Sequence, residues 1–189
     1  MGQIRLILCR HGNPAEFYMT ATDAATGRAA YFSKYDIIRD DYRTVMATCA
    51  LPGFCRPVKV GEHFYYDGGV ADSIPLHHAI EQGCTKMVVI LSNPRDFVKK
   101  PEAHRPLYKH MLHKYPKTIQ SIDNRHINYQ ASIDLACRLE KEGYVFIFAP
   151  SRHMPLSTFS KDAALEQDLY DLGVADYEAR AEELKYFLN

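Results

Sequence analysis

Residues 63–91, HFYYDGGVADSIPLHHAIEQGCTKMVVIL, constrain the fold more than any other stretch of the chain. A β-type run at 63–66 leads into Asp67, Gly68 and Gly69. A helical pattern follows over 74–83, with Asp72 or Ser73 as cap, Pro75 in the first turn and Gly83 as a stop. A continuously apolar run, 86–92, closes the unit and reads as a strand covered on both faces. The segment joining the two strands, 67–85, has 19 residues, too long for a hairpin and long enough for a crossover. The expected arrangement is therefore a pair of parallel strands in an α/β sheet with helices on its faces. Asp67 then stands at the carboxyl end of its strand, the edge where open α/β sheets bind ligands. Taken alone, Asp-Gly-Gly is a weak signal and reads more readily as an acid that caps a turn.

The remaining pattern extends this unit in both directions. Residues 16–23 and 27–33 flank a turn at Thr26-Gly27 and predict a hairpin. Residues 40–51 are helical in pattern and stop at Pro52-Gly53. Short strands at 56–60 and 63–66 surround Gly61-Glu62. A long helix fits 117–142, with Ile119, Ile122, His126, Tyr129, Ile133 and Ala136 at helical spacing. Residues 144–150 form another apolar strand, and 161–188 read as two helices broken near Gly173.

Composition limits the function classes. With 189 residues, 47% of them hydrophobic, the chain can bury a core. Lys+Arg and Asp+Glu both number 23, so no bulk field recruits nucleic acid. No apolar run reaches the ~20 residues that span a bilayer. The five cysteines are scattered without a Cys-x-x-Cys, which predicts free thiols and a cytoplasmic location.

Three blocks, ATCALPGF (47–54), VKVGEHFYYDGGVADSIPLHHAIEQG (58–83) and KMVVILSNP (86–94), together resemble the patatin-like phospholipases. FYMTATDAATGRAAYF (17–32) is similar to the hairpin that precedes them in bacterial members of that family. The best-matching block is 16–94, with a helical region at 101–189, read as a single partial domain over 1–189. The resemblance implies a three-layer α/β/α fold with a mainly parallel sheet, and a lipid acyl hydrolase that needs no cofactor and no metal. It also implies a serine–aspartate dyad in which Asp67 is the acid/base, supported by Gly68 and Gly69. A free Asp titrates near ~3.9, so apolar surroundings would improve its match to proton transfer at neutral pH. The glycines would let the backbone pass closely and take positive φ. The serine would attack an ester carbonyl to form an acyl-enzyme.

The departure from the family pattern is the nucleophile. None of the serines (33, 73, 92, 121, 132, 151, 157, 160) has Gly two before and two after, and no Gly-rich oxyanion loop precedes residue 27. The expectation is a C-terminal part of a patatin-like domain, incomplete at its N-terminus and inactive alone. A non-catalytic relic, or a subunit supplying Asp67 to another chain, is the alternative. A further alternative rests on Arg10-His11-Gly12, which resembles the phosphoryl-accepting motif of histidine phosphatases, although Pro14 stands where that family has Thr.

Two other clusters invite a function. His104, His110 and His113 lie close in sequence with Glu102 as the nearby acid, and read as surface histidines more readily than as metal ligands. From Arg95 to Lys117 there are seven Lys/Arg against two acids, interleaved with apolar residues. Leu107, Met111 and Tyr115 repeat at helical spacing, which suits peripheral contact with an anionic membrane or, equally, a helix packing its stripe on the core.

Overall fold

A computed structural model describes residues 15–155 and 162–189. In chain order its elements are β1 (Tyr18–Asp23), β2 (Ala29–Ser33), α1 (Arg43–Thr48), β3 (Val58–Val60), β4 (His63–Asp67), α2 (Leu76–Glu81), β5 (Met87–Ile90), α3 (Arg105–Met111), α4 (Pro116–Lys141), β6 (Val145–Phe148) and α5 (Ala163–Leu188). They fall into two compact units. The first holds the described residues up to Ile74 together with Lys100–Tyr129, and the second holds Pro75–Lys99 and Gln130–Asn189.

The first unit is built on a four-stranded sheet in the order β2-β1-β4-β3. The β1–β2 hairpin turns where expected. Asp23 accepts hydrogen bonds from the Thr26 backbone at 2.8 Å and its hydroxyl at 2.9 Å. Gly27 follows with φ +67°, and a Cβ there would lie 2.5 Å from the Lys117 carbonyl. Only glycine permits that approach, which seats the start of α4 on the hairpin. Thr118 and Ser121 donate to the carbonyls of Ala24 and Gly27 at 2.8 and 2.7 Å. Beneath this seam Ala24, Tyr66, Val70, Leu112, Ile119 and Ile122 form the core, with Tyr108 and Tyr115 packed against it. Burying one such Ile or Leu side chain is worth roughly 1.5–3 kcal/mol.

The second unit contains the parallel pair β5–β6, in register from Met87–Val145 to Ile90–Phe148. Val145, Phe146 and Ile147 are buried, as are Ile133 and Ala136 of α4. α5 lays Arg180 over the Phe146 ring, 4.3 Å from its centroid.

Four expectations need correction. The sheet is not mainly parallel among the described strands: β1–β2, β1–β4 and β3–β4 are all antiparallel, and only β5–β6 is parallel. Tight turns at Gly27 and Gly61 join neighbouring strands as hairpins, which forces antiparallel pairing. The 19 residues between β4 and β5 were sufficient for a crossover but did not require those strands to pair. Second, β5 is not covered on both faces. Met87 and Val89 are buried, but Val88 is 40% and Ile90 79% exposed. Third, α2 begins after Pro75 with no side-chain cap, because Ser73 donates instead to the Gly69 carbonyl at 2.8 Å. Fourth, α5 runs unbroken through Gly173. An interior glycine costs about 1 kcal/mol relative to alanine, too little to break a long, packed helix capped by Asp162.

Candidate active site

The candidate site is assembled at the end of β4. β1 and β4 pair antiparallel with Ala21 opposite Asp67. The Asp67 backbone N–H donates to the Ala50 carbonyl at 2.9 Å, tying the strand end to the segment that leaves α1. Thr22, fully buried on β1, donates its hydroxyl to the Asp67 carbonyl at 2.8 Å and accepts the Ala71 N–H at 3.2 Å. The backbone on both sides of the turn is therefore held by one side chain.

Within that frame Asp67 caps a single 3-10 turn, Gly68–Val70, its Oδ1 accepting the Gly69 N–H at 2.7 Å. Its Oδ2 has no hydrogen-bond partner among the described residues. A Cβ on Gly68 would lie 2.2 Å from the Thr20 carbonyl oxygen, so this glycine exists to let β1 pass. Neither Gly68 nor Gly69 takes the positive φ expected of it; Gly68 serves the close approach of the backbone alone. A Cβ on Gly69 would sit 3.0 Å from Asp67 Oδ1 and 3.3 Å from Arg125 Nη2.

Arg125 is the residue that sequence reasoning missed. It lies on α4, donates from Nε to the Gly69 carbonyl at 2.6 Å and from Nη1 to Glu102 Oε1 at 2.9 Å. The guanidinium thus braces the glycine turn and is itself oriented by an acid. Its separation of 56 residues from Gly69 left no local signal. The site that results offers one carboxylate oxygen committed to the turn, a second without a partner among the described residues, and a guanidinium on the carbonyl of the same turn.

Residues 20–80 match the patatin-like phospholipase family. The match contains Asp67, Gly68 and Gly69 and runs from β1 to α2. Residues 115–189 match a domain of unknown function (DUF6363), which covers α4, β6 and α5. No curated protein matches the chain. The patatin-like phospholipase family suggests a hydrolase acting on ester bonds of lipids.

Outside the patatin-like segment the other sequence candidates separate. Arg10-His11-Gly12 and Cys9 lie outside the described residues. His110 and His113 have ring centroids 6.4 Å apart, and no group of three metal-binding side chains forms among the described residues. Cys49, Cys55, Cys84 and Cys137 are free thiols. No helix of the described residues is long and apolar enough to cross a membrane. In the basic segment, Arg105 forms a two-pronged pair with Asp123 at 2.8 and 2.7 Å, which holds the Asp123 carboxyl below the usual range. Burial, together with its hydrogen bond to Asp123, pushes the Tyr108 hydroxyl up to about 12. In the second unit Glu140 accepts two hydrogen bonds from Arg95, at 2.6 and 2.7 Å, and one from the Ile147 N–H at 3.1 Å.

Proposed function

We propose that the chain carries the aspartate half of a serine–aspartate lipid acyl hydrolase, with Asp67 as the acid/base and the serine nucleophile supplied by sequence other than residues 1–189. The observation that carries this reading is Asp67 itself. It closes β4 within the patatin-like match, with Oδ1 fixed by the Gly69 N–H and Oδ2 unoccupied among the described residues. A general base needs an oriented carboxylate with an oxygen left to take a proton, and this turn provides both. Arg125 serves as a positioning residue, since it holds the carbonyl of Gly69. On this reading the chain is part of a larger three-layer α/β/α domain. It hydrolyses lipid or other esters without a cofactor, and works in the cytoplasm with peripheral contact to anionic membrane through 95–117. The free thiols support the reducing compartment.

A second reading is favoured by the same hydrogen bond. An aspartate that caps its own turn has a structural purpose without any serine, as in a non-catalytic relic or a partner subunit. The DNA preceding codon 1 separates the two. An in-frame Gly-x-Ser-x-Gly should be present, and the joined product should hydrolyse p-nitrophenyl esters and phospholipid, labelling at that serine with a fluorophosphonate. Asp67→Asn should then lower turnover roughly 10²–10⁴-fold, the scale of a lost general base. Residues 1–189 alone should show no serine-dependent turnover. Activity of the joined product that is indifferent to Asp67→Asn leaves the turn as a cap.

A further inference from the structure

Gly173 stands inside the unbroken α5 without a local reason to be glycine. Its φ is not positive, and a Cβ on it would meet no atom within 4 Å. An interior glycine weakens a helix, and here no close neighbour demands it. What lies beside it is a cavity of about 290 Å³, lined wholly by residues of the second unit. Val88, Ile90 and Phe148 form its sheet wall, and Leu169, Leu172 and Leu184 of α5 form its helix wall. The two walls meet at Tyr177, whose ring lies 6.0 Å from that of Phe148. A helix laid on a sheet ordinarily buries its apolar stripe. α5 runs for 26 residues and buries none of them fully, so the space between its leucines and the open face of β5 is unfilled.

Size decides the class of occupant. A helix is about 10–12 Å across and rises about 5.4 Å per turn, so one turn of polypeptide helix already exceeds this cavity. A dry apolar cavity of about 150 Å³ takes benzene, so roughly twice that volume takes a hydrocarbon chain of about ten to twelve carbons. The lining chemistry decides the end group. Asp176 is the one charged residue in the wall, and its Oδ2 accepts the Ser151 N–H at 2.9 Å. Arg95 and Arg180 line the cleft that adjoins this end, but they are paired with Glu140 and Glu183. A carboxylate head group would therefore meet Asp176 with no uncompensated cation among the described lining residues. An ester or hydroxyl end meets no such repulsion.

We propose that the second unit binds one alkyl or acyl chain of an uncharged lipid in the cavity between α5 and β5, with Gly173 keeping the helix side open. The chain covers Val88 and Ile90, which are 40% and 79% exposed without it. The inference goes beyond the ester chemistry proposed for Asp67 and does not depend on it.

Titration calorimetry of the chain with 1-alkanols tests this. From hexanol upward, affinity should tighten about 4-fold for each added carbon, the scale of one buried methylene, and level off near dodecanol when the cavity is full. Decanoate at neutral pH should bind about 10-fold more weakly than 1-decanol, or weaker still. Gly173→Leu fills the cavity from the helix side, and Ile90→Glu places a charge on its exposed sheet wall. Each should weaken 1-decanol binding about 10-fold or more with unchanged circular dichroism. If Gly173→Leu does not fold, Ile90→Glu decides alone, since its site is exposed. No binding of 1-decanol, or equal binding by the folded variants, overturns the proposal. So does affinity that keeps rising beyond dodecanol, which marks an open surface and not a closed volume, or decanoate binding as tightly as decanol. Self-association lost in Ile90→Glu, without alkanol binding, assigns the cavity to a second copy. Alkanol binding by residues 1–189 that is lost in the joined product assigns it to the preceding polypeptide. Both of these also overturn the proposal, and all of them leave the dyad reading of Asp67 standing.

Discussion

Asp67 and Glu140 are both carboxylates set beside strands, and they are used in opposite ways. Glu140 sits next to β6 with both oxygens occupied: Oε2 accepts from Arg95, and Oε1 accepts from Arg95 and from the Ile147 N–H. Arg95 and Arg180 also donate to the Ile147 carbonyl, at 2.9 and 2.6 Å, so the strand backbone and the ion pair form one closed network. Asp67 ends β4 with one oxygen on its own turn and the other unoccupied among the described residues. Its neighbouring arginine binds the Gly69 carbonyl and Glu102. The difference teaches what separates a structural acid from a candidate for chemistry. A carboxylate with permanent donors on both oxygens is held ionised and gives up a hydrogen bond when it takes a proton, whereas one fixed at a single oxygen is oriented and keeps the other available.

The contrast can be broken by substitutions read as urea midpoints at constant m. The largest effect is expected from Gly68→Ala. The new methyl would meet the Thr20 carbonyl at 2.2 Å, and β1 cannot yield without losing its pairing to β4. A loss of about 3 kcal/mol, or failure to fold, is expected from this overpacking. A loss under about 1 kcal/mol would show that the turn is not locked against β1 as described.

Glu140→Gln comes next, at about 1–2 kcal/mol, because it leaves Arg95 without its anion. The cost should depend on pH. The hydrogen bonds from Arg95 hold the Glu140 carboxyl below its ordinary 4.5. A depressed carboxyl contributes stability above its unfolded value and loses it as pH falls through its folded value. The gap between wild type and Glu140→Gln should therefore be full at neutral pH and close as the solution is acidified below 4.5. A gap unchanged at acid pH would assign the loss to packing and not to charge.

Asp67→Asn should cost only about 0.5 kcal/mol, since the amide oxygen can still accept the Gly69 N–H. This measurement sharpens the comparison most. If Asp67→Asn destabilises as much as Glu140→Gln, the two acids are equally structural and the free oxygen at Asp67 carries no meaning. The smallest effect belongs to Ile90→Ser on the open face of β5, within about 0.5 kcal/mol of wild type. Val89→Ala on the buried face should cost about 2 kcal/mol. Equal effects at the two positions would mean that something covers Ile90 in solution.

Much of the local structure was legible in the residues themselves. Gly27, Gly61 and Gly83 mark turns and take positive φ, so the hairpins and the end of α2 follow from dihedral preference within a few residues. The spacing of Ile119, Ile122, Ile133 and Ala136 placed α4 and its buried face correctly, because helical periodicity is a local record of burial. Asp67-Gly68-Gly69 stood out for the same reason: an acid followed by two missing side chains is a backbone requirement written in composition. Tertiary structure alone decided which strands pair, because the length of a connection limits partners without choosing among them. It decided that Val88 and Ile90 lie open, since an apolar side chain carries no label for the neighbour that would cover it. It also brought Arg125 to Gly69 and Arg95 to Glu140, contacts that depend on where distant segments meet. Short-range sterics and hydrogen bonding are encoded residue by residue; the placement of a charge beside a turn far away in sequence exists only once the chain has packed.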